Sequence, residues 1–209
     1  MSNTWLKVIM MGVASMGLLS SCDGILGGIY DEPDNSGDSA GFETEGEISI
    51  DATSYTQWVY IDFSERTTVT LGVDEEEPAE WDIAVHRYDV KTNGGKVVET
   101  DYKEFDDAVA ATIDEADLVG DVWSTDKIVV DMSTMMDGYL GYVDSYYNTE
   151  LSKWLDVDTS TMPPIYTPSG KVYIVYLADG NRVGLKLINY MNDMLVKGFM
   201  TIQYVYPFK

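Results

Sequence analysis

Two short stretches set sulfur side chains beside turn-forming residues. In "STMMDG" Met135 and Met136 stand directly before Asp137 and Gly138. Asp-Gly marks a tight turn, because Gly tolerates positive φ and Asp accepts nearby backbone hydrogen bonds. In "MPPIYT" Met162 precedes Pro163 and Pro164, whose fixed φ stiffens the loop and sets where the sulfur points. A thioether is a soft ligand, suited to soft metals and to the axial positions of haem iron, where it raises the reduction potential. Tyr139, Tyr142, Tyr146, Tyr147 and Trp154 lie between the two stretches. The competing reading is methionine as core filler, with Met132 in the same group, and composition alone favours it. Met191, Met194 and Met200 fall in the last hairpin as core or turn filler.

Other chemistries are short of residues. The chain holds one histidine, His86, and one cysteine, Cys22, so zinc sites built from His and Cys are unavailable. A Ser-His-Asp site would need His86, which lies mid-strand with no nucleophile-elbow motif near it. His86 reads as a hydrogen-bonded, partly buried strand residue. No glycine loop for phosphate appears. The acidic runs "EEEP", "DYKEFDD" and "IDEAD" read as solvated faces. "DVDTST" lacks the glycine turn and distal glutamate of a calcium loop. The reading is a binding protein, not an enzyme. The formal charge of −23 disfavours nucleic acid and anionic lipid surfaces.

The first residues, "MSNTWLKVIMMGVASMGLLSSC", have one cation, an apolar run and small residues before a cysteine. That is a signal peptide over 1–21, too short in its apolar part to span a bilayer. "LSSC" resembles a lipobox, which makes Cys22 the lipidated residue and gives an anchor that does not cross the membrane. Residues 22–46 are rich in Gly, Asp, Glu and Ser and read as a flexible tether. One domain is expected over 47–209.

The domain reads as all-β and mostly antiparallel, with a minor helix. Strands are expected over 48–63, 67–73, 81–90, 96–100 and 127–132. In 81–90, alternation puts Trp81, Ile83 and Val85 on one face and Ala84, His86, Tyr88 and Val90 on the other. Asn93-Gly94 is expected to turn that strand back as a hairpin. A helix is expected over 148–157, capped by Asn148 or Thr149, with Leu151, Trp154 and Leu155 as its apolar stripe. Residues 106–112 suggest a helical turn. The tail reads as a β-meander: two strands around Asp179-Gly180, a wider turn at 191–198, and a last strand over 199–207. No internal repeat or heptad is visible.

"WDIAVHRYDVKTNGG" resembles the signature of the HmuY family, the haem-binding lipoproteins of Bacteroidetes. "MPPIYTPSGKVYIVYLADGN" followed by "KGFMTIQYVYP" resembles that family's C-terminal half, in the same order. The resemblance runs from about residue 48 to the end. It implies a hand-like single β domain that holds haem b, iron protoporphyrin IX, between two loop fingers. It also implies delivery to an outer-membrane receptor from a surface-exposed, lipid-anchored position. One branch of the family ligates iron with two histidines, which this chain lacks; Tyr139 and Thr159 stand about where those histidines fall. Other members use a methionine pair. The resemblance therefore implies Met135 and Met162 as axial ligands, with Met136 the alternative in the first finger and Tyr139 and Tyr166 against the porphyrin. The other open reading is a surface β domain that binds glycan or protein through its Tyr- and Trp-rich loops.

Overall fold

The computed structural model describes residues 45–209. The signal peptide, Cys22 and most of the tether lie outside the described residues. One six-stranded sheet runs in the order β1 (Glu45–Asp51), β14 (Lys197–Val205), β13 (Arg182–Met191), β12 (Tyr173–Tyr176), β6 (Lys96–Glu99) and β7 (Val119–Gly120). A four-stranded sheet runs β3 (Thr67–Gly72), β2 (Gln57–Asp62), β4 (Ile83–His86) and β5 (Asp89–Thr92). Two separate hairpins join β8 (Val122–Asp131) to β9 (Gly141–Tyr147) and β10 (Leu155–Asp158) to β11 (Ile165–Pro168). Every pairing is antiparallel. The helix α1 is short, Phe105–Val109. The fold is the expected all-β one, and β12, β13 and β14 form the expected meander. β1 takes in Glu45 and Gly46, which the sequence reading assigns to the tether.

Period-two alternation builds the core. Val59, Ile61, Ile83, Val85 and Val90 of the four-stranded sheet share one cluster with Tyr173, Val175, Leu185, Leu187 and Ile202 of the six-stranded sheet. The alternate residues are buried too. Trp58, Tyr60 and Ala84 pack with Ile128, Val143 and Tyr147 of the β8–β9 hairpin. Val172, Ile174 and Phe208 pack with Phe105 and Ala108 of α1. Each sheet is thus covered on both faces, which is why β2 is buried from Trp58 to Asp62 without interruption.

Four expectations change. The run 48–63 is two strands, β1 paired with β14 in the six-stranded sheet and β2 paired with β3 and β4 in the four-stranded one. The run 81–90 is two strands, because the chain reverses at Arg87-Tyr88 and pairs His86 with Asp89. Arg87 takes φ 56, its guanidinium donates to the Ala52 and Thr53 carbonyls, and it lies 4.5 Å above the Tyr55 ring. The reversal resets the alternation, so Val90 faces the core beside Val85, and Trp81, ahead of β4, packs on the opposite face with Ala84. Asn93-Gly94 does not close a hairpin; it carries the chain from β5 in one sheet to β6 in the other. Asn93 is fixed there by its side-chain donation to the Trp81 carbonyl at 3.0 Å.

The expected helix at 148–157 is a single 3-10 turn, Leu151–Trp154, that runs straight into β10. The turn's own cap position is Glu150, without a side-chain hydrogen bond, but the expected residue Asn148 stands just ahead of it, and its Oδ1 accepts the N–H groups of Glu150 and Leu151 at 3.1 and 2.9 Å. Leu151, Trp154 and Leu155 are all buried, but the pairing of Leu155 with Pro168 outcompetes a second helical turn. Trp154 Nε1 donates to the Tyr88 carbonyl at 2.9 Å, which locks the turn to the β4–β5 reversal.

Candidate functional site

The β8–β9 hairpin ends in a tip built around the first methionine stretch. Asp131 Oδ1 accepts the Ser133 N–H at 2.7 Å as the chain leaves the strand. Met135–Asp137 then form a 3-10 turn. Gly138 closes it at φ 84, a left-handed conformation that a β-branched residue resists, and its N–H donates to the Met135 carbonyl at 3.0 Å. Thr134 clamps the far side. Its carbonyl accepts the Tyr139 N–H at 3.2 Å, and its hydroxyl donates to the Tyr139 carbonyl at 3.3 Å.

The β10–β11 hairpin repeats the entry. Asp158 Oδ1 accepts the Ser160 N–H at 2.8 Å, and the Thr161 hydroxyl donates to the Pro163 carbonyl at 3.2 Å. The Met162–Pro163 peptide bond is cis. Both aspartates are fully exposed. Asp131 is held below the usual carboxylate range by the Ser133 backbone and hydroxyl, and Asp158 by the Ser160 hydroxyl and backbone. The two tips share a five-residue repeat, Asp-x-Ser-Thr-Met: "DMSTM" at 131–135 and "DTSTM" at 158–162. The sequence reading passed over it, since a repeat this short is visible only once both stretches are known to leave hairpin strands. It makes Met135, not Met136, the counterpart of Met162.

The side chains divide by exposure. Met136 is 90%, Met162 81%, Tyr139 72% and Met135 41% exposed. None of the four belongs to a buried cluster among the described residues, so the core-filler reading fails for them, while Met200 does fill the core. Met135 and Met162 sit on different hairpins. Tyr166 is not at a tip. It lies in β11, stacked on Tyr190 and edge-on to Tyr88 at 6.0 Å, with Lys197 Nζ 3.8 Å above its ring. Burial raises its hydroxyl pKa.

His86 is buried, as its strand position suggests. Its Nε2 lies 2.9 Å from the Tyr55 carbonyl, its ring is tilted on Trp58, and burial lowers its pKa. It offers no nitrogen at either tip. A third turn lies beside the second hairpin and escaped the sequence reading as a site element. Met194 and Leu195 are exposed there, Leu195 at φ 61, and Lys197 Nζ reaches the Pro164 carbonyl at 3.5 Å. The signal was the apolar run Met194-Leu195-Val196 inside a turn.

The family model for HmuY protein matches residues 54–204, a span that includes both tips. The chain belongs to the HmuY family. The structure of a HmuY-like heme binding protein from Bacteroides vulgatus is 54% identical, with a TM-score of 0.75, covering 80% of this chain and 94% of that one. A lipoprotein from Bacteroides fragilis is 46% identical, also with a TM-score of 0.75, covering 82% and 93%. An apo HmuY analog from Tannerella forsythia, 24% identical, has a TM-score of 0.68 over 80% of this chain and 97% of that one, and shows the common fold alone. No curated protein matches the chain. The HmuY match spans both hairpins and every strand from β2 into β14, so the resemblance read from the sequence is a family membership.

Proposed function

We propose that this HmuY-family domain binds haem b between the β8–β9 and β10–β11 hairpins, with Met135 and Met162 as the two axial ligands of the iron. The repeated Asp-x-Ser-Thr-Met entry carries this reading, because each hairpin leaves its strand through the same Asp-to-Ser turn and reaches a methionine four residues after the aspartate. Met136 follows Met135, sits outside the repeat and is the alternative ligand in the first finger. Tyr139 supplies aromatic surface for the porphyrin, and Tyr166, with Tyr190 stacked on it and Lys197 above its ring, backs the second hairpin and offers its edge. Thioether sulfur stabilises ferrous over ferric iron, so affinity rises on reduction. Lys197, held at the second hairpin, is the cation suited to a propionate in an otherwise acidic protein. The protein acts as a carrier, not an enzyme: it is lipidated at Cys22, displayed at the outer membrane and delivers haem to an uptake receptor. The haem-binding name of the Bacteroides vulgatus relative and the lipoprotein name of the Bacteroides fragilis one support both halves of this reading.

The test is titration of the purified protein with haemin, with and without dithionite, followed in the Soret and Q bands. The expected result is a low-spin ferrous spectrum with tighter binding after reduction. No spectral change in either state would overturn haem binding and leave the glycan or protein reading.

A further inference from the structure

A second site stands on the opposite side of the first hairpin's chemistry, at its root. Lys91 of β5 is buried, its side chain 7% exposed, where a cation normally would not be. Its Nζ lies 4.5 Å from the Trp58 ring centroid, 5.1 Å from Tyr60 and 5.4 Å from Trp81, a cage of three aromatic faces. It donates to Tyr60 Oη at 3.3 Å and to Glu77. An ammonium has three N–H donors, so two acceptors leave one for a further oxygen.

Two cavities meet at this lysine. One, of about 140 Å³, is lined by Trp58, Glu75, Trp123, Asp144 and Ser145, among others. The other, of about 410 Å³, is lined by Trp81, Asn93, Gly94, Lys96 and Asp121, among others. Glu77, Lys91 and Tyr146 line both, so the two are lobes of one cleft. The larger lobe alone lies in the range of about 300–1,000 Å³ that holds small molecules. Trp123 and Tyr146 meet edge-on at 5.0 Å with most of their surface exposed. Neither residue contributes to the tips.

The lining selects the ligand. Glu75, Glu77 and Asp144 repel an anion. The aromatic cage that would take an organic cation is already filled by Lys91. A flat apolar molecule would strip water from the carboxylates it covered and leave the third Lys91 donor unused, which is costly. A neutral polyol satisfies all of them. Its C–H face stacks on one ring of the edge-on Trp123–Tyr146 pair, with the other ring at its rim, and its hydroxyls donate to the carboxylates and accept from Lys91 Nζ. We propose that this cleft binds a neutral hexose unit of a glycan, independently of haem.

The experiment is saturation-transfer NMR and calorimetry on the purified protein with the methyl glycosides of glucose, galactose, mannose and N-acetylglucosamine, and with choline as the cationic control. Transfer to the ring C–H protons of at least one glycoside is expected, with none to choline. Trp123→Ala and Tyr146→Ala, both of exposed side chains, should each weaken that binding about fivefold and leave the haemin titration unchanged. No transfer to any glycoside would overturn the proposal. So would binding of choline in place of sugar, or sugar binding that survives both variants. Because the haemin titration is read in the same samples, failure of the sugar site and failure of the haem reading are distinguishable.

Discussion

Tyr166 and Tyr190 stack with ring centroids 5.6 Å apart and planes 12° from parallel, and the Tyr190 hydroxyl donates back to the Tyr166 carbonyl at 3.4 Å. This pair ties the second hairpin to the meander, although β10 and β11 belong to neither large sheet. Removing the second ring should free the hairpin without unfolding the domain. Tyr190→Ala is expected to cost about 1 kcal/mol beyond the lost apolar area. Hydrogen exchange should quicken over residues 155–168 and stay unchanged over 122–147.

The axial assignment makes a graded prediction at the tips. Met135→Ala and Met162→Ala should each weaken ferrous haem binding at least tenfold, about 1.4 kcal/mol. Met136→Ala should leave it within a factor of about two, since that side chain lies outside the repeated turn. Equal losses for Met135→Ala and Met136→Ala, read by titration under dithionite, would count against the pairing drawn from the repeat.

Lys197 is the cation tied to the second hairpin, over the Tyr166 ring and beside the Pro164 carbonyl. If it meets a propionate, Lys197→Gln should raise the haem dissociation constant about threefold at low ionic strength. The gap to the parent protein should narrow in high salt, because an exposed ion pair is screened. A salt-independent loss would point to lost packing on Tyr166 instead.

Asp82 sets a pH dependence of stability. Burial raises its carboxyl from the usual value of 3.8 to about 6, with Asp62, Asp179 and Glu80 adding repulsion, against the Phe63 N–H that donates to it at 2.8 Å. The folded state therefore holds this proton more tightly than the unfolded one. Its stabilising contribution is complete below about 3.8 and is lost as the pH rises through about 6. Asn keeps an oxygen for the Phe63 N–H and cannot ionise. Asp82→Asn should melt at a higher temperature than the parent near neutral pH, and the difference should vanish in acid. A constant offset across the titration would mean that the carboxyl is not the source.

The parts of the molecule that local pattern controls were legible in the sequence. The meander could be read from Asp179-Gly180, and Gly180 does take a positive φ of 89°. The cap at Asn148 could be read from its residue type. The parts set by distant partners could not. Asn93-Gly94 has the composition of a hairpin turn, but the strand it would have returned to had already been paired by β4 through Arg87. A left-handed arginine gives no compositional signal; its reason is the Ala52 and Thr53 carbonyls, more than thirty residues away. The helix at 148–157 failed similarly, because β11 claimed Leu155. At the tips, residue type gave only a group of methionines, and the family resemblance narrowed it to Met135 and Met162; the matching entries at Asp131 and Asp158 stand out only with the two hairpins side by side.

The pairing of β1 with β14 has a mechanical meaning. The chain enters the domain through β1, whose seven residues lie in register with β14 from Glu45 opposite Val205 to Asp51 opposite Phe199. Gly46 leaves room there for the Tyr204 ring, which a Cβ would strike. A pull along the strand from the residues ahead of Glu45 therefore loads all of these pairs at once in shear. A sideways pull peels them one at a time from the Glu45 end. The same ladder that closes the sheet is the clamp by which the domain would withstand being towed.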